Sequence, residues 1–397
     1  MTTGIIIMCS LLLLAYVFDI SSALTKIPTV ILLLLLGWVA KQVANVFELT
    51  IPGLETILPL LGTIGLILIV LEGALELELN KSKFKGVRVA TLVALIPMLI
   101  MAFLLAWGLQ YLSGASYKIA LANVIPLCVI SSAIAIPSVR NLSARNKEFI
   151  VYESSLSDIF GVLFFNFIVL NKAINAESFG HFALEILLII VVSFVSVLGL
   201  SFLLSRIKHH ITYTPIILLV ILIYAVSKVY HLPGLIFILV FGLFLGNLEE
   251  LKSFKWIEKF RPEKLEKEVA KFKDITTEAT FLVRALFFLL FGFSMRASEI
   301  LNPETLPWAC VVVMLIVVLR WLSLTVAKQP VVPLLFVAPR GLITILLFLA
   351  IEPAQALPLM NRALVIQIIV LTVLVMMFGL MGVSGNHQSK HAKSTGQ

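Results

Sequence analysis

Apolar stretches of about twenty residues follow one another along almost the whole of this chain, and that pattern leaves few folds open. In hydrocarbon every backbone N–H and C=O has to be paired inside the protein, so stretches of this kind become helices. About thirteen spans are expected, near residues 4–20, 28–44, 57–76, 88–112, 118–139, 149–170, 182–205, 212–229, 233–248, 277–295, 304–327, 335–352 and 362–384. Composition agrees: 60% of the 397 residues are hydrophobic and only 13% are charged. A soluble domain carries about 25% charged residues. An ordinary cytosolic enzyme, a coiled coil and a disordered chain are excluded, and an all-α polytopic membrane protein is expected.

The net charge of +8 is not a nucleic-acid footprint, because the basic residues sit in short loops between apolar spans. When the loops are assigned alternately to two sides, one side collects about 21 Lys and Arg and the other about 6. The basic side is cytoplasmic by the positive-inside rule, which with an odd span count puts the N-terminus outside and the C-terminus inside. A bacterial inner membrane fits this distribution. Residues 5–18 read as a retained first span, since no basic segment precedes them and no cleavage site follows. Cys9, Cys128 and Cys310 lie in apolar runs with no paired spacing, so buried inert thiols are expected, without disulfide or zinc. The polar segment 249–276 alternates acids and bases around Trp256, Phe260, Leu265, Val269 and Phe272, which predicts an amphipathic helix on the cytoplasmic surface. His209 and His210 read as a solvated loop pair.

Ionisable residues inside the spans are the informative ones, because each costs roughly 2.5–3.5 kcal/mol at a helix centre. They are Glu153 and Asp158 in span six, Arg284 in span ten, Arg320 in span eleven and Arg340 in span twelve. Glu72 and Glu76 close span three and are expected to reach the cytoplasmic surface. At 1.5 Å per residue Asp158 lies roughly 14 Å deep, near the middle of a ~30 Å core. Glu153 and Arg320 come to similar depth with opposite charge and are expected to pair. Asp158 is then a lone carboxylate at the midplane, where the same oxygens accept a proton or a monovalent cation. Ser157, Ser131 and Ser132 are the neighbouring hydroxyls available to such a cation.

Span five holds Pro126 and Pro137 around Ser131 and Ser132, and span twelve holds Pro333, Pro339 and Gly341. These are the marks of interrupted helices, whose freed backbone groups make ion sites. Spans four to six and eleven to thirteen each have an interrupted helix in the middle and insert in opposite senses, as inverted repeats do.

Five stretches carry a family resemblance. Tyr152–Gly161 (Y-E-S-S-L-S-D-I-F-G) resembles the E-x-x-x-N-D-x-x-G core of monovalent cation:proton antiporters of the NhaP and sodium/proton exchanger type. Gly65–Leu77 resembles their G-L-I-L-L-x-E-G-G-L-E-L run, Leu289–Ser294 their F-L-G-x-S helix, and Arg340–Thr344 their R-G-A-V-S motif. Arg320 resembles the arginine that pairs with the span-six glutamate. The resemblance implies a homodimer in the membrane. Residues 1–80 and 212–296 would be scaffold, 87–170 and 304–385 an ion-carrying core, 182–205 a linker helix, and 386–397 a short cytoplasmic tail. It implies that Asp158 binds cation and proton alternately while the core moves it between the two sides. Transported Na⁺, with K⁺ or Li⁺ as alternatives, and H⁺ would then be the only bound ions, with no cofactor. The chain departs from the family pattern at Ser157, where relatives carry Asn, and at Ser132–Pro137, where they carry Thr-Asp-Pro. It departs again at Arg284, where a carboxylate is expected. Those departures leave a passive channel, or an anion carrier using Arg284 or Arg340, as the alternative. An enzyme is not expected, because the chain has no nucleotide loop, metal cluster or nucleophile–base pair.

Overall fold

A computed structural model describes residues 2–25, 27–47, 54–77, 83–171, 176–206, 213–229, 234–247 and 262–394, and every described regular element is helical. The first half comprises α1 (Thr2–Thr25), α2 (Thr29–Val46), α3 (Leu54–Glu76), α4 (Phe84–Ser113), α5 (Tyr117–Cys128), α6 (Ser132–Ser138), α7 (Ala144–Leu170) and α8 (Ala176–Arg206). The second half comprises α9 (Tyr213–Val229), α10 (Gly234–Gly246), α11 (Pro262–Ser294), α12 (Ala297–Ile300), α13 (Leu306–Val326), α14 (Val331–Leu334), α15 (Leu342–Leu349) and α16 (Arg362–Ser394). Short α12 apart, and with α5–α6 and α14–α15 each counted as one broken helix, these make thirteen units, as the apolar pattern predicts. Among the described residues seven helices, the α5–α6 pair counted as one, are long and apolar enough to cross a membrane. Helix α7 runs 27 residues and carries Glu153 and Asp158 within its length.

Two groups of helices are separately knit. In one, α11 packs on α2 and α3, α3 on α10, and α10 on α8. Helices α2 and α11 touch backbone to backbone. A Cβ at Gly37 would meet the Leu289 carbonyl and lie 2.8 Å from Phe293 N, and a Cβ at Gly292 would meet the Leu34 carbonyl. Small residues of this kind let membrane helices approach closely and gain van der Waals contact. In the other group α4 packs on α5 and α7, α13 on α4 and α16, and α15 on α5. Helix α3 bridges the groups through α6, α7 and α15.

Two expectations meet a different structure. From Pro262 the polar segment 249–276 is continuous with the membrane helix α11, with Phe272 and Thr276 buried, so its described part is an extension of α11; its first residues lie outside the described ones. His209 and His210 also lie outside them. Only Cys128 is inside the protein; Cys9 and Cys310 face outward from α1 and α13. The first broken helix opens between its two prolines, as the sequence leads one to expect. Pro126 and Pro137 sit within α5 and α6, and the chain is extended between them at Val129 and Ser131.

Candidate ion site at the crossing of two broken helices

The two breaks meet in the middle of the second helix group. The N–H of Ser131 donates to the carbonyl of Pro339 at 2.9 Å, so the extended strand of one break is joined to that of the other. This contact is close because position 341 has no side chain: a Cβ there would lie 2.9 Å from Ser131 Oγ and 3.1 Å from Ile134 Cγ1. Helix α7 runs alongside α6 and α5. Ser157 Oγ accepts the Ile130 N–H at 3.0 Å, which holds the extended residues against α7. Ser157 therefore positions the break, and one of its acceptor sites is used in doing so.

Asp158 is the next residue on α7 and is 2% exposed. Its Oδ2 accepts from Ser132 Oγ and, at 3.3 Å, from Ser132 N at the start of α6. A carboxylate at a helix N-terminus sits at the positive end of the helix dipole. Its other oxygen, Oδ1, is buried without a hydrogen-bond partner among the described residues, and so is Ser131 Oγ. Two buried oxygens with free lone pairs are thus left at one crossing, a condition a folded interior rarely tolerates without a purpose.

The neighbouring charges are closed off. Arg320 and Glu153 form a two-pronged pair, Nη1 to Oε1 at 2.6 Å and Nη2 to Oε2 at 3.0 Å, with both residues nearly fully buried. Arg320 Nε also donates to the Leu334 carbonyl at the end of α14, at 2.7 Å. Arg340 has no carboxylate partner among the described residues. Its Nε donates to the Leu127 carbonyl at 2.7 Å, near the C-terminal, negative end of α5, and its Nη1 to the Ala338 carbonyl at 3.2 Å. Its backbone N–H donates to Thr372 Oγ1 at 3.0 Å. The expected Glu153–Arg320 pair thus exists, and Arg340 is held by helix ends.

A cavity of about 250 Å³ leads to this crossing and ends at Ser132 and Ala133. Its acids are Asp19, Glu72, Glu76 and Glu278; its bases are Arg140, Lys147 and Arg284. Glu72, expected at the surface, instead lines this cavity. Hydropathy does not single out Asp19, which stands at the end of an ordinary apolar run. It accepts from Thr29 Oγ1 at 3.1 Å and pairs with Arg140 at 3.2 Å, linking α1 to the loop after α6. A second cavity of about 330 Å³ lies at the other end of the same helix interface, lined by Thr63, Asn166, Tyr224, Lys228 and Leu346 among mostly apolar neighbours. Between the two, a Cβ at Gly65 of α3 would touch Val283 and Leu342, and one at Gly62 would collide with Leu346 and Phe287. At that second end Arg362 donates to Ser294 Oγ at 2.6 Å and stands 3.4 Å from Glu299.

Residues 9–383 match the family described as sodium/hydrogen exchanger, transmembrane. Among solved structures the chain is similar to the sodium proton antiporter MjNhaP1 from Methanocaldococcus jannaschii at pH 8. That likeness has a TM-score of 0.72 and 17% identity, over 95% of this chain and 99% of that one. An electron-microscopy structure of the same antiporter gives a TM-score of 0.69 at 19% identity, over 96% and 95% of the two chains. No curated protein matches by sequence. At these identities the structural likeness speaks for the fold, and the family match speaks for the class of protein.

Proposed function

Because the chain belongs to the sodium/hydrogen exchanger family, a family of membrane transporters and not of enzymes, we propose that it exchanges one monovalent cation for one proton at Asp158 by alternating access. Sodium is the first candidate, and potassium and lithium are the others. The observation that carries this reading is the pair of unpartnered buried oxygens, Asp158 Oδ1 and Ser131 Oγ, beside a cavity that reaches Ser132. Carboxylate and hydroxyl oxygens are hard ligands suited to such ions. A cation bound to Asp158 stabilises its ionised form, and a proton on it removes a ligand charge, so the two compete for one carboxylate. One titrating carboxylate gives one proton for one cation, an electroneutral exchange.

The cavity that reaches Ser132 lies on the basic side of the chain, which the positive-inside rule makes cytoplasmic. The conformation is then inward-facing, with the packed layer around Gly62 and Gly65 as the barrier to the outside. The group formed by α4–α7 and α13–α16 would carry Asp158 past the group formed by α1–α3 and α9–α11. The latter would also hold the homodimer interface, and α8 would link the two. Arg340 is engaged by the Leu127 and Ala338 carbonyls, which favours the cation reading over an anion carrier that needs that charge for its ligand.

The test is proton flux in proteoliposomes carrying a preset pH gradient, challenged in turn with Na⁺, Li⁺, K⁺ and choline. One of the small cations collapses the gradient and choline does not. Asp158→Asn brings the flux down to that of protein-free vesicles while the protein still folds and inserts. The KM for the cation rises as the pH falls on the cation side, because protons hold the shared carboxylate. Exchange that survives Asp158→Asn would remove the reading.

A further inference from the structure

Arg284 has no part in the exchange chemistry described above, yet it stands on the route to it. It lies in α11 with its charge in the cavity that ends at Ser132. Among the described residues it makes no ion pair within 4 Å and no hydrogen bond. The charges that act on it are, in order, Glu72, Asp19 and Arg140. Asp19 and Arg140 already pair with each other at 3.2 Å and leave little net field. Glu72 on α3 is therefore the acid that offsets Arg284, from one turn deeper than Glu76. The same cavity lining thus places the Arg284 guanidinium and the Glu72 carboxylate beside the approach to Asp158 without joining them, with Glu76, Glu278 and Lys147 also on its walls.

From this arrangement we infer that Arg284 sets the cation affinity of the exchanger on the side of this cavity: its positive charge, offset by Glu72, holds down the local concentration of cations at the approach to Asp158. The inference rests on the exchange reading of Asp158 and adds a residue that fixes the affinity of one face. A narrow cleft with apolar walls focuses the field of its charges, so a single charge there changes local ion concentration more than it would in open water. Removing Arg284 leaves Glu72 uncompensated and draws cations in. Removing Glu72 leaves Arg284 uncompensated and turns them away. Removing both leaves the summed charge of the cavity lining as it is in the parent. The second face of the protein opens on a different cavity, lined by Lys228 and Asn166 and remote from Arg284, so its affinity does not change.

The test is the cation KM measured separately from each face, in vesicles with the protein sorted by orientation and at a pH alkaline enough that protons, which the same field would concentrate equally, do not hold Asp158. Arg284→Gln lowers the KM on the side of the charged cavity by roughly three- to tenfold, Glu72→Gln raises it by a similar factor, and the double variant returns to within about twofold of the parent. All three leave the other face within about twofold. Arg284→Lys keeps the charge and the parent KM, which separates charge from packing. If Arg284→Gln fails to fold, the Glu72→Gln defect is read alone, and it shrinks as choline chloride is raised because salt screens the field. An unchanged or raised KM in Arg284→Gln, equal shifts at both faces, or a Lys variant that behaves like Gln would overturn the inference while leaving the exchange reading intact. Protection of Asp158 from a carbodiimide by Na⁺ reports occupancy without transport. Absence of both exchange and protection in the parent protein would remove the exchange reading, and the inference with it.

Discussion

The two broken helices use the same backbone device and end up with opposite chemistry. At the break between α5 and α6, Ser131 Oγ and the facing Asp158 Oδ1 remain without partners. At the break between α14 and α15 the polar groups are engaged: Arg340 N on Thr372, Gly341 N on Thr344 at 3.4 Å, and the Pro339 carbonyl on Ser131 N. Arg340 then uses its side chain on the end of α5, so the second break closes off one terminus of the first. An interrupted helix is therefore not an ion site in itself. On the proposed reading it becomes one where buried acceptors are left over, as Asp158 Oδ1 and Ser131 Oγ are at the first break.

That contrast can be tested from its largest expected effect downward. Glu153 and Arg320 tie α7 to the end of α14. Glu153→Gln or Arg320→Met alone strands a buried charge and destabilises by about 3–5 kcal/mol, whereas Glu153→Leu with Arg320→Met recovers much of that loss. Thermal unfolding in detergent reads the difference, and a double variant no better than the singles would mean the two do not act as a pair. Arg340→Met comes next. It leaves the Leu127 and Ala338 carbonyls unpaired at about 1–3 kcal/mol, yet keeps the cation KM of the folded fraction within about twofold, because the second break supplies no ligand. A large rise in KM would place Arg340 in the ion site and blur the distinction. The smallest effect is Ser131→Ala. It removes a hydroxyl with no protein partner, so stability is nearly unchanged while KM rises about fivefold, the equivalent of one hydrogen bond near 1 kcal/mol. An unchanged KM there would mean the free lone pairs of Ser131 are not used by the cation.

Much of this was legible from the sequence because membrane solvent makes its demands residue by residue. The helical units follow from apolar length, and Glu153 with Arg320 follows from depth and sign. The broken helices were flagged by Pro126, Pro137, Pro339 and Gly341, but the first break falls at 129–131, where no proline stands. Its position is fixed by Ser157 and Pro339, partners that only the three-dimensional crossing brings near. The cavity-facing placement of Asp19 and Glu72 is not legible in the sequence, for a similar reason. Hydropathy places a residue along the membrane normal but says nothing of its direction around the helix, and both turn toward the cavity. The polar run before α11 read as a separate helix because its charges interrupt the apolar pattern, while backbone hydrogen bonding carries on through them.

The Glu153–Arg320 pair also bears on how the membrane voltage would act on the helix group proposed to move. Voltage does work only on net charge, about 2.3 kcal/mol for each elementary charge carried across 100 mV. A bidentate pair travels as zero charge and is electrically silent. What remains is Arg340, fixed at plus one, and Asp158, which the proposed exchange neutralises with either a proton or a sodium ion. The two loaded forms then carry the same charge, so a voltage that hastens the passage of one loaded form in a given direction hastens that of the other equally. The cell's electrical state would set how fast such a protein turns over, and the ion and pH gradients alone would decide which way it runs.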